Sequence, residues 1–362
     1  MSTTYNFCAG PAMLPTAVMQ QAQAEFLDWH GLGCSVMEIS HRSKEFIAVA
    51  EQAEQDLRTL LNVPKDYAVL FGHGGGRGQF SAVPLNLAQQ HESAAFLTSG
   101  SWSAGAYQEA QKYLNAIELV TSSSVNGQVT VPHLSLDKEQ QQRFAYLHYC
   151  ANETVEGVEI NCLPEAGSVP LVADMSSNIL SKNIDVSKFG VIYAGAQKNI
   201  GPSGLAVVLV NNDLLDKGRD STPSFLNYQN MAKNGSMYNT PPTYAWYLAG
   251  LVFRWLLNSG GVAAIEQQNQ QKANLLYQCI DQSDFYRNHV HPDFRSRMNV
   301  VFHLPNPDLD SLFLAEAEKN GLRALKGHRI VGGMRASIYN AMPLIGVATL
   351  TEFMQEFARK HG

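Results

Sequence analysis

The residue whose setting most suggests covalent chemistry is a single lysine. Lys198 lies at the centre of residues 190–204, GVIYAGAQKNIGPSG, between an apolar run at 191–194 and a second at 205–210. Both runs predict strands, and Gly201, Pro202 and Gly204 turn the chain between them. A lysine held between buried strands loses hydration, which lowers its pKa and leaves an amine able to attack a carbonyl and form a Schiff base. The alternative is a solvated loop lysine, the usual fate of this residue. Asp174 ends the apolar run 169–173, and at the C-terminal end of a strand its carboxylate either keeps a heterocyclic nitrogen protonated or caps a helix. FGHGGGRGQF, at 71–80, follows a predicted strand and opens a predicted helix. Its backbone N–H groups, the helix dipole and Arg77 make a seat for a phosphate, unless the glycines serve only a tight turn. It is not a dinucleotide fingerprint, because Arg77 or Gln79 stands where the last glycine of GxGxxG belongs, and no GK[ST] makes it a P-loop. Trp102, in SGSWSAG, offers a flat face to a ligand or simply packs. His41–Arg42, His328–Arg329 and Arg335 are each ordinary surface candidates. Taken together they suit a substrate with several negative charges, since guanidinium grips carboxylate and phosphate in bidentate fashion.

These residues need a scaffold, and the chain is long enough for one. Its 362 residues allow about two domains and a large core. The 45% hydrophobic content, 16% charged content and net charge of -6 describe an ordinary globular chain with no general attraction to nucleic acid or anionic membrane. The five cysteines, Cys8, Cys34, Cys150, Cys162 and Cys279, are widely spaced, with no CxxC pair and no metal spacing, so no metal is expected and the thiols are read as reduced. No basic leader and no run of about 18 apolar residues is present, and the expected location is cytoplasmic. Short apolar runs at 68–71, 94–98, 117–120, 144–150 and 169–173 alternate with helix formers, which indicates a mainly parallel sheet covered on both faces, with ligands at the C-terminal strand ends. Val18, Ala22, Phe26 and Trp29 predict a helix that runs to Gly31, and Ser43 predicts an N-cap for a helix bearing Phe46, Ala50, Ala53, Leu57 and Leu60. The polar loop after Val210 and the glycines at 260–261 separate this part from a smaller α+β region.

NFCAGPAMLP, SVMEISHRSKEF, FGHGGGRGQF, HYCANETVEG, YAGAQKNIGPSG, GSMYNTPPT and LKGHRIVGGMRASIYNAMP form an ordered set over almost the whole chain. The set resembles the class V pyridoxal-phosphate-dependent aminotransferases, and within them the phosphoserine branch. The resemblance implies an α/β, aspartate aminotransferase-like fold (fold type I): a large seven-stranded, mainly parallel domain at 16–258 and a small α+β domain from 1–15 and 259–362. It implies pyridoxal 5'-phosphate as cofactor, a homodimer with shared active sites, and small-molecule substrates, glutamate and a phosphorylated oxo acid. The activity implied is amino transfer between L-glutamate and 3-phosphohydroxypyruvate in serine biosynthesis, with a related 4-phosphohydroxy-threonine step of pyridoxine biosynthesis as an added role.

Carried over by motif, Lys198 would link to the cofactor, Gly76, Arg77 and Gln197 would hold its phosphate, and Asp174 would pair with its ring nitrogen. Trp102 would stack on the ring and Thr154 would contact the ring hydroxyl. Asn239 and Thr240 would reach the phosphate bound in the neighbouring subunit. Arg335 would take the α-carboxylate of the substrate, and His41, Arg42, His328 and Arg329 its phosphate or the glutamate side chain. Cys8–Ala9 stands where many relatives have serine, so a hydroxyl contact from that turn is lost or replaced. A cysteine desulfurase, the rival within the family, would need a cysteine in a glycine-rich loop near the small domain, and a dehydrogenase would need the missing fingerprint.

Overall fold

A computed structural model describes residues 4–362; residues 1–3 of the expected small domain lie outside the described residues. The apolar runs form one seven-stranded sheet in the order Tyr67–His73, Leu205–Asn211, Val191–Gly195, Leu171–Asp174, Phe144–Cys150, Ser93–Thr98 and Asn115–Thr121. Every strand but one runs the same way. Leu205–Asn211 is antiparallel to both neighbours, because the link 196–204 is shorter than the crossover of about a dozen residues that a parallel return needs. The parallel strands therefore present their C-terminal ends, His73, Thr98, Cys150, Asp174 and Gly195, along one edge.

Helices cover both faces, and side-chain alternation sorts the core between them. On one face Val207 and Leu209 pack with Phe46 and Leu57 of the Lys44–Leu61 helix and with Trp246 and Phe253 of the Thr243–Asn258 helix. On the other, Val208 and Val210 pack with Phe80 and Val83 of the Gly75–Leu87 helix and Ala106 of the Ser101–Ala110 helix. Phe71 and Trp246 stack with ring centroids 4.4 Å apart. Truncating Phe253, fully buried, to alanine would cost about 3–5 kcal/mol.

A further apolar cluster joins Phe7 to Leu276, Val300, Phe302, Phe313, Ile338 and Phe357. The beginning of the described chain is tied to its C-terminal part by backbone as well, since Tyr5–Asn6 pairs in parallel with Leu322–Arg323. Asn299–Phe302 pairs antiparallel with Met334–Ser337, which carries Arg335. Ser43 does cap its helix, accepting from Phe46 N–H at 3.3 Å. The helix expected to reach Trp29 stops at Ala24. Beyond it the chain folds on itself, with Trp29 N–H on Cys34 C=O and Gly33 N–H on the Asp28 carboxylate, so Trp29 is buried while Phe26 is 42% exposed. Among the described residues no single helix is long and apolar enough to cross a membrane.

Candidate active site

The C-terminal strand ends open into a cavity of about 570 Å³ lined by Gly76, Arg77, Trp102, Thr154, Asp174, Gln197, Lys198, His328 and Arg335, all singled out in the sequence. The fold explains how such distant residues meet. Gly76 and Arg77 follow the strand ending at His73, Trp102 the one ending at Thr98, Thr154 the one ending at Cys150, and Lys198 the one ending at Gly195.

Lys198 is set by a tight turn in which Gly201 N–H donates to Ala196 C=O at 2.7 Å and Ala196 N–H to Leu205 C=O at 2.9 Å. Its side chain is only 6% exposed, and Nζ donates to Thr154 Oγ1 at 2.5 Å. Burial pushes the amine below the ordinary lysine range, while Asp174, Cys150 and Glu153 pull it back up. Asp174 is the last residue of its strand. Burial raises its pKa; Ser176, Lys198 and Tyr193 oppose the rise, and Ser176 N–H donates to Oδ1 at 2.8 Å. Behind it, His148 Nε2 meets Tyr193 Oη at 2.9 Å, and burial drives the imidazole down to about 3, so that it is neutral. A carboxylate that burial disfavours, with no cation in direct contact, is a place for a protonated nitrogen.

The glycine-rich turn enters the Gly75–Leu87 helix through Gly74, whose φ of 83° favours glycine. The first-turn N–H groups of the helix have no partners within it and carry its positive dipole end. A Cβ on Gly195 would fall 2.8 Å from Gly76 N, so only glycine lets the lysine turn pass this close to the anion seat. Arg77 and Lys198 lie over the Trp102 ring, with Cζ and Nζ at 5.1 and 5.5 Å from its centroid. Across the cavity, Arg335 donates through Nη1 to Thr154 C=O at 3.2 Å, and its buried Nε has no partner.

Five expected residues do not line the cavity of the single chain. Arg42, Asn239, Thr240 and Arg329 are exposed, and His41 is half-buried with an unpartnered Nε2. Other lining residues were given no site role from the sequence: Gly10, Pro11, Cys150, Asn152, Ser176, Ser177 and Ser203. Ser176 and Ser177 follow Asp174 directly, so the strand-end rule that found the aspartate reaches them as well. Gly10 and Pro11 had no such signal. They are placed by long-range contacts, Ala12 N–H on Gln197 C=O at 2.8 Å and Tyr339 Oη on Ala9 C=O at 2.7 Å.

A model of the aminotransferase class-V family matches residues 4–350. The chain is 60% identical to a phosphoserine aminotransferase of Shewanella denitrificans over the whole of both chains. The solved phosphoserine aminotransferase of Bacillus circulans subsp. alkalophilus superposes with a TM-score of 0.95 at 43% identity, covering 99% of each chain. A PLP-bound phosphoserine aminotransferase of Trichomonas vaginalis does so with a TM-score of 0.89 at 37% identity, over 97% of this chain and 99% of that one.

Proposed function

The chain belongs to the class-V aminotransferase family, and we propose that it transfers the amino group of L-glutamate to 3-phosphohydroxypyruvate, giving O-phospho-L-serine and 2-oxoglutarate. It is a pyridoxal-phosphate-dependent transaminase with the type I fold. The observation that carries the reading is the meeting, in one cavity, of a dehydrated lysine, a buried carboxylate, a flat ring and a buried arginine nitrogen without a partner.

The residues present fit pyridoxal phosphate. The glycine-rich helix end, with Gly76, Arg77 and Gln197, would hold its phosphate; Asp174 would hold the ring nitrogen, Trp102 a ring face and Thr154 the ring hydroxyl. When bound, the cofactor supplies a carbonyl carbon for an amine and a conjugated ring that takes up the electrons of a bond broken at the substrate α-carbon. Lys198, with its pKa lowered by burial, would supply the amine that links to the cofactor's carbonyl carbon and, when not so linked, would take a proton from the substrate α-carbon and return it as base and then acid. Asp174 would pair with a protonated ring nitrogen, an ion pair that would offset the cost of its burial. Arg335 fixes the α-carboxylate common to both substrates and so sets which bond faces the amine.

The finer parts of the reading are the domain division at 1–15 with 259–362 against 16–258, a cytoplasmic homodimer whose partner copy brings Asn239 and Thr240 to the cofactor phosphate, and a role for His41, Arg42, His328 and Arg329 in holding the substrate phosphate or the glutamate side chain. A 4-phosphohydroxy-threonine step of pyridoxine biosynthesis uses the same chemistry. Arg42, Asn239, Thr240 and Arg329 are exposed in the single chain, where a partner copy can reach them.

The test is an assay with both substrates, following 2-oxoglutarate, beside an absorbance spectrum. Ping-pong kinetics, slow use of unphosphorylated hydroxypyruvate and borohydride label on Lys198 are expected. Equal use of hydroxypyruvate would overturn the substrate reading, and the absence of label would overturn the role of Lys198.

A further inference from the structure

Two carboxylates that line no part of the cavity stand against the helix that carries Trp102. Glu153 is fully buried. Its Oε2 accepts Trp102 N–H at 2.8 Å, and its Oε1 accepts Ser103 N–H at 2.9 Å and the Ser103 hydroxyl. Glu156 accepts Ser101 N–H at 3.0 Å and the Ser101 hydroxyl through Oε1. The first three N–H groups of the Ser101–Ala110 helix are thus all bound by this pair. A serine or aspartate N-cap would satisfy one such group without burying two like charges. The fit is closed as well, since a Cβ on Gly100 would lie 2.5 Å from Glu156 Oε2 and 2.7 Å from Glu153 Cγ.

The same turn carries contacts to the opposite wall of the cavity. Thr154, next to Glu153, receives Lys198 Nζ on its hydroxyl and Arg335 Nη1 on its carbonyl. The turn is itself anchored, with Asn152–Glu153 paired to Val158–Glu159 and Asn152 Nδ2 on Ser177 Oγ at 2.8 Å and Asn299 Oδ1 at 2.9 Å.

We propose that Glu153, supported by Glu156, is a positioning residue for the reaction: it fixes the Trp102 ring against the bound cofactor and locks that ring in register with Thr154 and Lys198. The proposal rests on the reading of Trp102 as the ring that lies on the cofactor. A stacking face must be held to about half an ångström to be useful, and charge-assisted bonds to two successive backbone N–H groups do that where a packed indole alone would slide. Burial, reinforced by the neighbouring Glu156, raises Glu153 to about 7, so the carboxylate is held at some cost to its charged form and owes its place to the donors it binds.

The experiment is a double-mutant cycle on pyridoxal phosphate binding to cofactor-free full-length protein, read by equilibrium dialysis and by the induced circular dichroism of the bound cofactor. Glu153→Gln keeps shape but loses charge. It should weaken binding about tenfold, as for one charge-assisted hydrogen bond, and shrink the dichroic band. Trp102→Ala should weaken binding by as much or more. The double variant should bind no more weakly than Trp102→Ala alone, because the clamp acts only through the ring it holds. Additive effects in the Trp102 cycle would overturn the clamp and leave the Trp102 reading standing; a Trp102→Ala variant with unchanged binding would overturn both. Should Glu153→Gln not fold, Glu156→Gln, whose hydrogen bonds are to Ser101, is read in the same cycle, with a smaller loss and the same lack of additivity.

Discussion

The residues at the strand ends and the residues on the outer loops are held in opposite ways. Lys198, Thr154 and Asp174 are buried, and each has a hydrogen-bond partner from another turn or its own. Arg42 and Arg329 are exposed and form no ion pair among the described residues; Asn239 and Thr240 are exposed too. The first group is set by the backbone of the sheet and is in place before any ligand arrives. The second sits on loops joined to rigid elements, the helix capped by Ser43 and the turn made by Val331 N–H and Gly332 N–H on His328 C=O. The strand-end residues are thus fixed within one chain, while the exposed loop residues have no partner surface in it among the described residues.

The sharpest break between the two groups should come from Lys198→Ala. Turnover is expected to fall by a factor on the order of 10⁴ or more, because nucleophile and proton carrier vanish together, while thermal unfolding shows a folded protein. Appreciable turnover would remove Lys198 from its role. Next in size is a change beneath the fixed group. Burial would raise Glu159, but Lys182 at 2.8 Å and Arg297 at 3.2 Å bring it down to about 2. A folded-state pKa below the ordinary carboxylate value contributes stability that is present above about pH 4.5 and is lost as pH falls toward 2. Glu159→Gln should cost about 3–5 kcal/mol at neutral pH, the range for breaking a buried pair, and should flatten that acid limb in denaturant titrations.

Arg335→Ala comes third, with a loss on the order of 10²-fold in both half-reactions followed separately by stopped-flow absorbance, since both substrates bear an α-carboxylate. Arg42→Ala and Arg329→Ala should be milder, about tenfold or more, and confined to the half-reaction with the phosphorylated substrate. An equal loss with glutamate would blur the division drawn here. Mixing Lys198→Ala chains with Asn239→Ala, Thr240→Ala chains should restore one sound site per mixed pair, and no recovery despite subunit exchange would place both residues outside the site. The smallest effect belongs to Ser43→Ala, about 1 kcal/mol of stability from the lost cap, with a raised KM for the phosphorylated substrate and unchanged cofactor retention.

Local chemistry carried much of this in the sequence. Apolar runs ending in small or charged residues announced the strands, and because a parallel sheet gathers its C-terminal ends, Asp174, Trp102, Arg77 and Lys198 were legible as one site from their positions after those runs. The cap at Ser43 was legible for the same local reason. The end of the first helix at Ala24 was not, because spacing alone counted Phe26 and Trp29 as one face while the hydrogen bonds of Gly33 N–H to Asp28 and of Trp29 N–H to Cys34 C=O bent the chain back.

Long-range pairing lay beyond any local signal. The docking of Ala9 to Ala12 onto Tyr339 and Gln197, the anchoring of Thr154 by Asn299 through Asn152, and the capture of the Trp102 helix by Glu153 each join residues far apart in the chain. The sequence by itself determined which residues have the chemistry and which strand ends bear them, since these follow from side-chain type and periodicity. Only the tertiary structure decided which of those groups are already fixed and which still face solvent, since burial and hydrogen-bond partners come from neighbours that sequence distance does not reveal.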